Sequence, residues 1–231
     1  MFKRIINAKI FSRFIIRNHV YSIKTTQKCL AFTFDDGPDP ETTPHIIDLF
    51  KQFKGKATFY FQGNNAEQHP DNVLLAHQNG FGIGNHSYDH PKYTEVGILE
   101  MIRQIKKTNQ ILQKITGAKI TTLRPPCNKI TQVETLAIKL IFNQPIINCN
   151  IAPTDWSGCL NEDNLSDFLV SSAKPGAIIC LHDSSSSTLA ALKTALPILH
   201  SQGYSFLTMD EMKLVGTFSP LRNLKVQNIT T

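Results

Sequence analysis

The chain has 231 residues, which is long enough for one large domain with a sizeable core. Hydrophobic residues make up 41% and charged residues 18%, as in an ordinary globular protein, and no stretch has the length of a transmembrane helix. The formal net charge of +6 is concentrated in residues 1–34, which hold Lys and Arg but no Asp or Glu. The remainder is nearly neutral, so we predict no nucleic-acid partner.

The basic N-terminal segment, residues 1–27, is predicted to be an arm or a targeting segment. It lacks an apolar run of secretory length, and its acid-free composition resembles a mitochondrial transit peptide with weak helical amphipathicity. We therefore expect an intracellular location, with mitochondrial import as the alternative. The five cysteines are odd in number and lack paired spacing, which indicates reduced thiols rather than a disulfide framework.

Between residues 28 and 214, apolar runs typical of strands alternate with helical patterns, as in a parallel α/β domain. The predicted strands cover 29–34, 57–61, a short run ending at Asn85, 120–123, 145–148, 177–181 and 204–207. The predicted helices lie near 43–53, 67–79, 95–116, 131–142, 162–173 and 188–201. Residues 215–231 are predicted to be a polar tail, which leaves a single domain.

Polar residues follow several predicted strands at their carboxyl ends, where parallel α/β folds place their chemistry. The first strand ends in Asp35 and Asp36, and the turn at Gly37-Pro38 would send the two carboxylates in different directions. Later strand ends contribute His86, His90, Arg124, Asp155, Trp156, His182 and Asp183. The structural alternative for the first motif is an Asp-Gly turn with one capping Asp, which leaves the other carboxylate unexplained.

His86 and His90 are four residues apart, which on a helical turn would put both imidazoles on one face. Two imidazoles and one carboxylate from the Asp-Asp pair make a three-ligand set that leaves positions open on a divalent metal ion. The second carboxylate would then take a proton from the attacking water, and the metal would stabilise the oxyanion. The alternative is a pair of surface or capped histidines.

Five further residues fit the same chemistry. His182 is placed to protonate the leaving group, although a buried strand-end histidine bonded to backbone is the alternative. Arg124 could orient an aspartate, and Asp155 could fix the tautomer of His182 and favour its protonated form; the alternative for each is a surface salt bridge. Leu181 could line a small apolar pocket for a methyl group, and Trp156 offers a face for a sugar ring.

Five motifs in this order resemble the polysaccharide deacetylase family, also called carbohydrate esterase family 4 or the NodB-homology domain. The motifs are Thr33-Phe-Asp-Asp-Gly-Pro38, His86-Ser-Tyr-Asp-His90, Arg124-Pro-Pro126, Asp155-Trp156 and Leu181-His182-Asp183. The resemblance extends from Lys28 to about Met212. It implies a distorted (β/α)7 barrel and the metal-dependent hydrolysis of acetyl groups on sugars.

The resemblance also implies a role for each motif residue. The expected ligands of one divalent metal ion, usually zinc with cobalt, nickel or manganese as alternatives, are Asp36, His86 and His90. The expected general base is Asp35, and its partner is Arg124. The expected general acid is His182, and its partner is Asp155. The expected substrate-binding residues are Pro126, Cys127, Trp156 and Leu181.

Two departures from the family's pattern concern the substrate rather than the chemistry. Cys127 and Asn128 stand where an aromatic residue and a glycine usually follow the double proline, and Ala152 replaces an earlier aspartate. Asn128 tolerates the left-handed conformation that glycine would supply. We predict an N-deacetylase of an N-acetylglucosamine-type poly- or oligosaccharide. The alternatives are the same chemistry on another acyl group, such as a formyl group on a sugar or a cyclic amide, and a non-catalytic carbohydrate-binding relic.

Overall fold

A computed structural model describes residues 18–155, 161–220 and 225–226. The strands are β1 (His19–Val20), β2 (Ser22–Lys24), β3 (Cys29–Asp35), β4 (Thr58–Phe61), β5 (Gly82–Asn85), β6 (Ile146–Ile147), β7 (Ile151–Ala152), β8 (Ala177–His182), β9 (Ser205–Phe206), β10 (Thr217–Ser219) and β11 (Lys225–Val226). The helices are α1 (Thr42–Gln52), α2 (Gly63–Gln68), α3 (Pro70–Gln78), α4 (Tyr93–Val96), α5 (Ile98–Thr116), α6 (Gln132–Ile141), α7 (Glu162–Ser172), α8 (Ser186–Ser201) and α9 (Met209–Val215), with a 3-10 turn at Pro126–Asn128. None of the helices in these ranges is both long and apolar enough to cross a lipid bilayer.

The centre of the sheet is parallel and follows the order β8, β3, β4 and β5. Beyond β8 the sheet continues through β2 and β10 in antiparallel pairing. Beyond β5, single bridges at Leu123 reach β6, which pairs with β1. The sheet therefore curls into a distorted barrel, and the predicted α/β barrel class is confirmed.

Alternation along β3 decides which side chains face the helices and which face the barrel interior. Leu30, Phe32 and Phe34 pack in the large cluster that β3 shares with the helices. Cys29 and Ala31 belong to a smaller inner cluster. The last residue of the strand, Asp35, continues the inner row and therefore enters the barrel.

The register of β8 against β3 corrects the prediction for Leu181. Leu181 lies opposite Phe34 and is fully buried in the same outer cluster, so it does not line the cavity into which Asp35 points. Its neighbours on the strand, Cys180 and His182, point to the other side of the sheet and line that cavity instead. The apolar pattern of the strand alone did not distinguish these two sides.

The predicted boundaries at residues 28 and 214 also need correction, because strands precede and follow them. Val20 of β1 and Ile23 of β2 are buried in the inner cluster. β10 pairs with β2, so residues of the expected polar tail complete the sheet. The basic charges of the N-terminal segment concealed this short alternation of buried apolar residues.

Other elements are shorter than predicted or divided, for identifiable reasons. The expected strand at 120–123 is reduced to single bridges at Leu123, and Pro125 and Pro126 lack the backbone donors that would continue it past Arg124. Pro70 begins a new helix after α2, which splits the predicted helix at 67–79. Gly97, at φ 77°, separates α4 from α5 in the same way. Helix α9 was not predicted.

Candidate active site

Asp35 and Asp36 point in different directions because the chain turns between them. Asp35 is the last residue of β3, whereas Asp36 has a left-handed backbone with φ 72°. Gly37 follows, and a Cβ at this position would clash with the carboxylate of Asp183, so the turn requires glycine. The predicted divergence of the two carboxylates is therefore present.

Asp36, His86 and His90 form the one group of metal-ligand side chains found among the described residues. Asp36 Oδ1 lies 3.4 Å from His86 Nε2 and 3.5 Å from His90 Nε2, and all three ligand atoms are within 4.8 Å of one another. Ligands about 2.0–2.1 Å from a tetrahedral zinc ion lie about 3.3 Å apart. Two of the three separations therefore fit a shared metal ion directly.

The two histidines meet through a tight turn rather than through the predicted helical turn. Ser87 and His90 both have left-handed backbones, with φ 65° and 60°, and Ser87 Oγ accepts a hydrogen bond from the His90 amide. His86 Nδ1 lies 2.9 Å from the carbonyl oxygen of Arg124. Because a carbonyl only accepts, Nδ1 carries the proton and Nε2 is left as a ligand atom facing Asp36.

The electrostatics of the group keep Asp36 ionised. Burial opposes its ionisation, but the hydrogen bond and charge of His86, with His90 and His182, hold the pKa of Asp36 well below its usual range. Burial also opposes protonation of His86, yet Asp35 and Asp36 raise its pKa. Burial and the nearby His86 lower the pKa of His90. The ionised carboxylate of Asp36 beside two imidazoles suits a cation.

Asp35 and Arg124 form a buried ion pair beside this group. Arg124 Nη1 donates to Asp35 Oδ1 at 2.7 Å, and the two side chains are 0% and 4% exposed. The guanidinium also donates to the carbonyl oxygens of Ile147 and Asn148 at 3.0 and 3.2 Å. Although burial opposes ionisation of Asp35, Arg124 and the neighbouring histidines hold its pKa below the ordinary value.

His182 and Asp155 form a second pair on the other side of the group. His182 Nδ1 lies 2.8 Å from Asp155 Oδ1, while Asp155 Oδ2 accepts from the His182 amide and from Thr188 Oγ1 at 2.8 and 2.7 Å. Nδ1 therefore carries a proton, and Nε2 lies 3.9 Å from Asp36 Oδ2. Burial opposes protonation, but the hydrogen bond and charge of Asp155 raise the pKa of His182 to about 9.

Three residues that contact the site were missed in the sequence. Gln62 Nε2 donates to Asp36 Oδ1 at 2.7 Å, and Asn65 Nδ2 donates to the Asp36 carbonyl oxygen at 2.7 Å. Both follow β4, so their position after a predicted strand was the available signal. The Cys180 thiol donates to Asp35 Oδ2 at 3.3 Å. Its apolar sequence context offered no such signal.

A cavity of about 430 Å³ joins these groups. Besides the charged side chains, its lining includes Cys127, Asn128, Ala152, Pro153 and Thr154. Among the predicted substrate-binding residues that the structure describes, only Cys127 lines it, whereas Pro126 is buried in the 3-10 turn. Trp156 lies outside the described residues. Asn128 has φ 53°, the left-handed conformation that asparagine was expected to tolerate at this position.

The arrangement can support attack of water on an acyl group. The three side chains that could hold a metal ion lie between a carboxylate suited to accept a proton and an imidazole suited to donate one. The structure brings together all seven residues predicted to be metal ligands, base, acid and their partners. Their chemical roles stay predictions at this point.

Comparison with known proteins identifies related sequences and structures. A family model described as polysaccharide deacetylase matches residues 22–140. The chain is 37% identical over 187 residues to a peptidoglycan-N-acetylglucosamine deacetylase, PgdA, of Listeria monocytogenes, a match that covers 81% of this chain and 39% of that protein. The chain thus spans about two fifths of the length of this curated relative.

Solved structures resemble the described fold. The peptidoglycan deacetylase PdaC of Bacillus subtilis superposes with a TM-score of 0.77 at 32% identity, over 82% of this chain and 92% of that one. A pseudoenzyme of carbohydrate esterase family 4 from Bacillus anthracis superposes with a TM-score of 0.78 at 27% identity, over 84% and 68%. The same fold therefore occurs in a protein named as a deacetylase and in one named as a pseudoenzyme.

Proposed function

Since this chain belongs to the polysaccharide deacetylase family, we propose that it hydrolyses N-acetyl groups on an N-acetylglucosamine-type poly- or oligosaccharide. One observation carries the proposal: Asp35 and His182 line one cavity together with Asp36, His86 and His90, and each is held by a buried partner, Asp35 by Arg124 and His182 by Asp155. By their names, PgdA is a peptidoglycan-N-acetylglucosamine deacetylase and PdaC is a peptidoglycan deacetylase. The pseudoenzyme among the solved structures makes retention of catalysis the point to test.

Asp36, His86 and His90 would hold one divalent metal ion, and we propose zinc because two imidazoles and one carboxylate suit it. When bound, such an ion acts as a Lewis acid on the acyl oxygen and makes a coordinated water more acidic. Gln62 donates a hydrogen bond to Asp36, and the carbonyl oxygen of Arg124 accepts one from His86 Nδ1. These contacts orient two of the three ligands. The protein's contribution here is a preformed ligand set.

Asp35 would act as the general base. Its carboxylate is ionised at neutral pH and is held by the guanidinium on Oδ1, so it can accept a proton from the water that attacks the acetyl carbon. The fixed charge of Arg124 then prevents the protonated carboxyl group from drifting out of position. The pair thus keeps the base oriented in both of its proton states.

His182 would act as the general acid. Asp155 holds the proton on Nδ1, which leaves the Nε2 proton of the imidazolium facing the cavity. Transfer of that proton to the amide nitrogen allows the carbon–nitrogen bond to break and the free amine to leave. The raised pKa of His182 keeps this proton in place at neutral pH.

A matched pair of variants at the two adjacent aspartates tests the proposal. We expect Asp35→Asn to keep bound zinc but to lose about 10²–10⁴-fold in acetate release from chitotetraose, the usual contribution of a general base. Asp36→Asn should lose both zinc and activity. Zinc content, measured by elemental analysis, and acetate release, measured by an enzymatic assay, distinguish the Asp35 variant from the Asp36 variant. Asp167→Asn, at an exposed position, is the control and should change neither.

Two outcomes would count against the proposal. Full activity of the Asp35→Asn variant would contradict the assigned base. A wild-type protein with full zinc occupancy that releases no acyl group from a panel of acetylated and formylated sugars and cyclic amides would instead be a carbohydrate-binding protein. Chelation should abolish acetate release in the wild type, and added divalent metal should restore it.

A further inference from the structure

A buried glutamine on helix α5 contacts the turn that connects the two histidines. Gln104 Oε1 accepts hydrogen bonds from the main-chain amides of Tyr88 and Asp89, at 2.8 and 3.2 Å. These two residues lie between His86 and His90, and Gln104 itself is only 2% exposed. One side-chain oxygen of α5 thus holds two successive amides of the turn.

The orientation of the Gln104 amide follows from its second partner. Its Nε2 donates to Glu100 Oε1 at 2.8 Å, and a carboxylate only accepts hydrogen bonds. The nitrogen must therefore face Glu100, which leaves the oxygen for the amides of the turn. Arg103, which is exposed, donates to the same carboxylate. The Gln104 amide thus has a fixed partner on its nitrogen as well as on its oxygen.

The turn depends on such contacts because two of its residues are in an unfavourable conformation. Ser87 and His90 have left-handed backbones, which residues other than glycine rarely adopt. A backbone of this kind persists only where the surrounding structure holds it. Tyr88 and Asp89 lie between these two residues, so hydrogen bonds to their amides restrain the middle of the turn. A shift there would move the imidazole of His90 relative to that of His86.

Other contacts hold the remaining groups of the turn. The carbonyl oxygens of Ser87 and Tyr88 accept hydrogen bonds from the amides of the first two residues of α2, at 2.9 Å each. Asn85 Oδ1 accepts from the Ser87 amide, and Asn85 Nδ2 donates to the carbonyl oxygen of Ile105 on α5. The carbonyl side of the turn is therefore held by main chain, whereas its central amides are held by the Gln104 side chain.

We propose that Gln104 is a positioning residue of the candidate metal site, which keeps the imidazoles of His86 and His90 at the spacing that one divalent ion needs. The inference rests on the proposed metal ligands and not on the proposed hydrolysis. Gln104 acts through the backbone that carries the ligands rather than through contact with the ion. Contacts that orient metal ligands typically contribute about 10–100-fold to metal affinity.

Zinc binding to the metal-free protein tests this assignment. Gln104→Met has a side chain of similar length without the amide, and we expect it to raise the zinc Kd by about 10–100-fold in competition titrations with a chromophoric chelator. Gln113→Met makes the same change at an exposed position of α5 and should leave the Kd within about twofold of the wild type. An unchanged Kd in Gln104→Met would overturn the inference.

A second control separates positioning from loss of stability. Leu112→Ala removes a fully buried side chain of the same helix and should lower the free energy of unfolding in urea titrations. It lies eight residues from Gln104, about 12 Å along the helix, so its zinc Kd should stay within about twofold of the wild type. If Leu112→Ala weakened zinc binding as much as Gln104→Met, the effect would be one of stability and the inference would be wrong.

An exchange of Glu100 and Gln104 provides the rescue. The double variant Glu100→Gln, Gln104→Glu again presents an oxygen to the turn and a donor from position 100, and it should bind zinc within about twofold of the wild type. Gln104→Glu alone sets two carboxylates four residues apart against each other, so it should bind zinc at least about twofold more weakly than the exchange. If Gln104→Met fails to fold, this comparison decides the question, and equal affinities would contradict the role of the Gln104 oxygen.

The same titrations separate this inference from the proposed function. Weaker zinc binding by Gln104→Met, with no acetate release from the zinc-loaded wild type, would contradict the proposed hydrolysis and leave the role of Gln104 standing. Acetate release with a zinc affinity that Gln104→Met does not change would overturn the inference alone. A wild type that binds no zinc would overturn the proposed metal site and the inference with it.

Discussion

The two charged pairs that flank the candidate metal site are built differently. The Asp35–Arg124 pair is enclosed, and its guanidinium bonds to two main-chain carbonyl oxygens as well as to the carboxylate. In the His182–Asp155 pair only the carboxylate is fully buried, while 18% of the His182 side chain stays exposed in the cavity. One pair is therefore fixed by the interior of the barrel, and the other has a free end.

The difference matches what each pair must do. An arginine does not lose its proton in the range in which proteins function, so the partner of Asp35 has a permanent charge. An imidazole can lose and regain its proton near neutral pH, so His182 can donate one and recover it. A general base needs a constant orienting charge, whereas a general acid needs a reversible one. The following variants test this contrast.

Arg124→Met should have the largest effect. It leaves the Asp35 carboxylate buried without its cation, and removing one partner of a buried ion pair costs about 3–5 kcal/mol. We therefore expect a free energy of unfolding reduced by that amount in urea titrations, and no measurable acetate release. Arg103→Met, at an exposed pair with Glu100, is the control and should change neither. Unchanged stability of Arg124→Met would mean that the buried pair is not as constrained as its contacts indicate.

Asp155→Asn should have the next largest effect and should depend on pH. The amide cannot hold the imidazolium, so we expect the pKa of His182 to fall from about 9 and the alkaline limb of the pH–rate profile to move to lower pH. Acetate release should fall about 10²–10⁴-fold, the range of a general-acid contribution. An alkaline limb at the wild-type position would contradict the role of Asp155.

The stability of the metal-free protein gives an independent measure of the same pair. Because folding raises the pKa of His182, the pair's stabilisation is fully present below the ordinary value of 6.5 and is lost as the pH rises through about 9. The difference in unfolding free energy between wild type and Asp155→Asn should therefore be largest below pH 6.5 and decrease towards pH 9. A difference that is constant with pH would show that Asp155 does not act through His182.

Thr188→Val should have the smallest effect. It removes the hydroxyl that donates to Asp155 Oδ2 but leaves the His182 amide on the same oxygen. We expect a loss of about 1 kcal/mol in unfolding free energy and only a minor shift of the alkaline limb. Thr188→Ser keeps the donor and should behave like the wild type in both measurements. A loss as large as that of Asp155→Asn would mean that the hydroxyl, rather than the charge, orients the pair.

Short polar motifs at strand ends made much of the site predictable. Asp35, Asp36, His86, Arg124, Asp155 and His182 were identified because each follows an apolar run at the same edge of a parallel sheet. The same rule applied to β4 would have included Gln62. The alternation of apolar strand runs with helical patterns also placed the fold in the α/β class, since burial of both sheet faces leaves continuous apolar runs.

Contacts between segments that are distant in the chain could not be predicted from local sequence patterns. Strand β2 joins the sheet through pairing with β8 and β10, and no local signal in a basic segment reports its partners. Leu181 and Cys180 have similar apolar contexts, so only the register against β3 separates the outer core from the cavity. Cys180 thus contacts Asp35 although nothing near it in sequence indicates this.

The sequence by itself determined the family, the α/β class and which polar side chains gather at one edge of the sheet, because motif chemistry and strand periodicity are local properties. Only the tertiary structure decided that Arg124 is enclosed while His182 keeps a free ring nitrogen, and that Gln104 reaches the turn between the two histidines. Burial and cavity shape depend on separate segments meeting in one barrel, such as Asp35 and Arg124, which are 89 residues apart, and such contacts leave no local pattern.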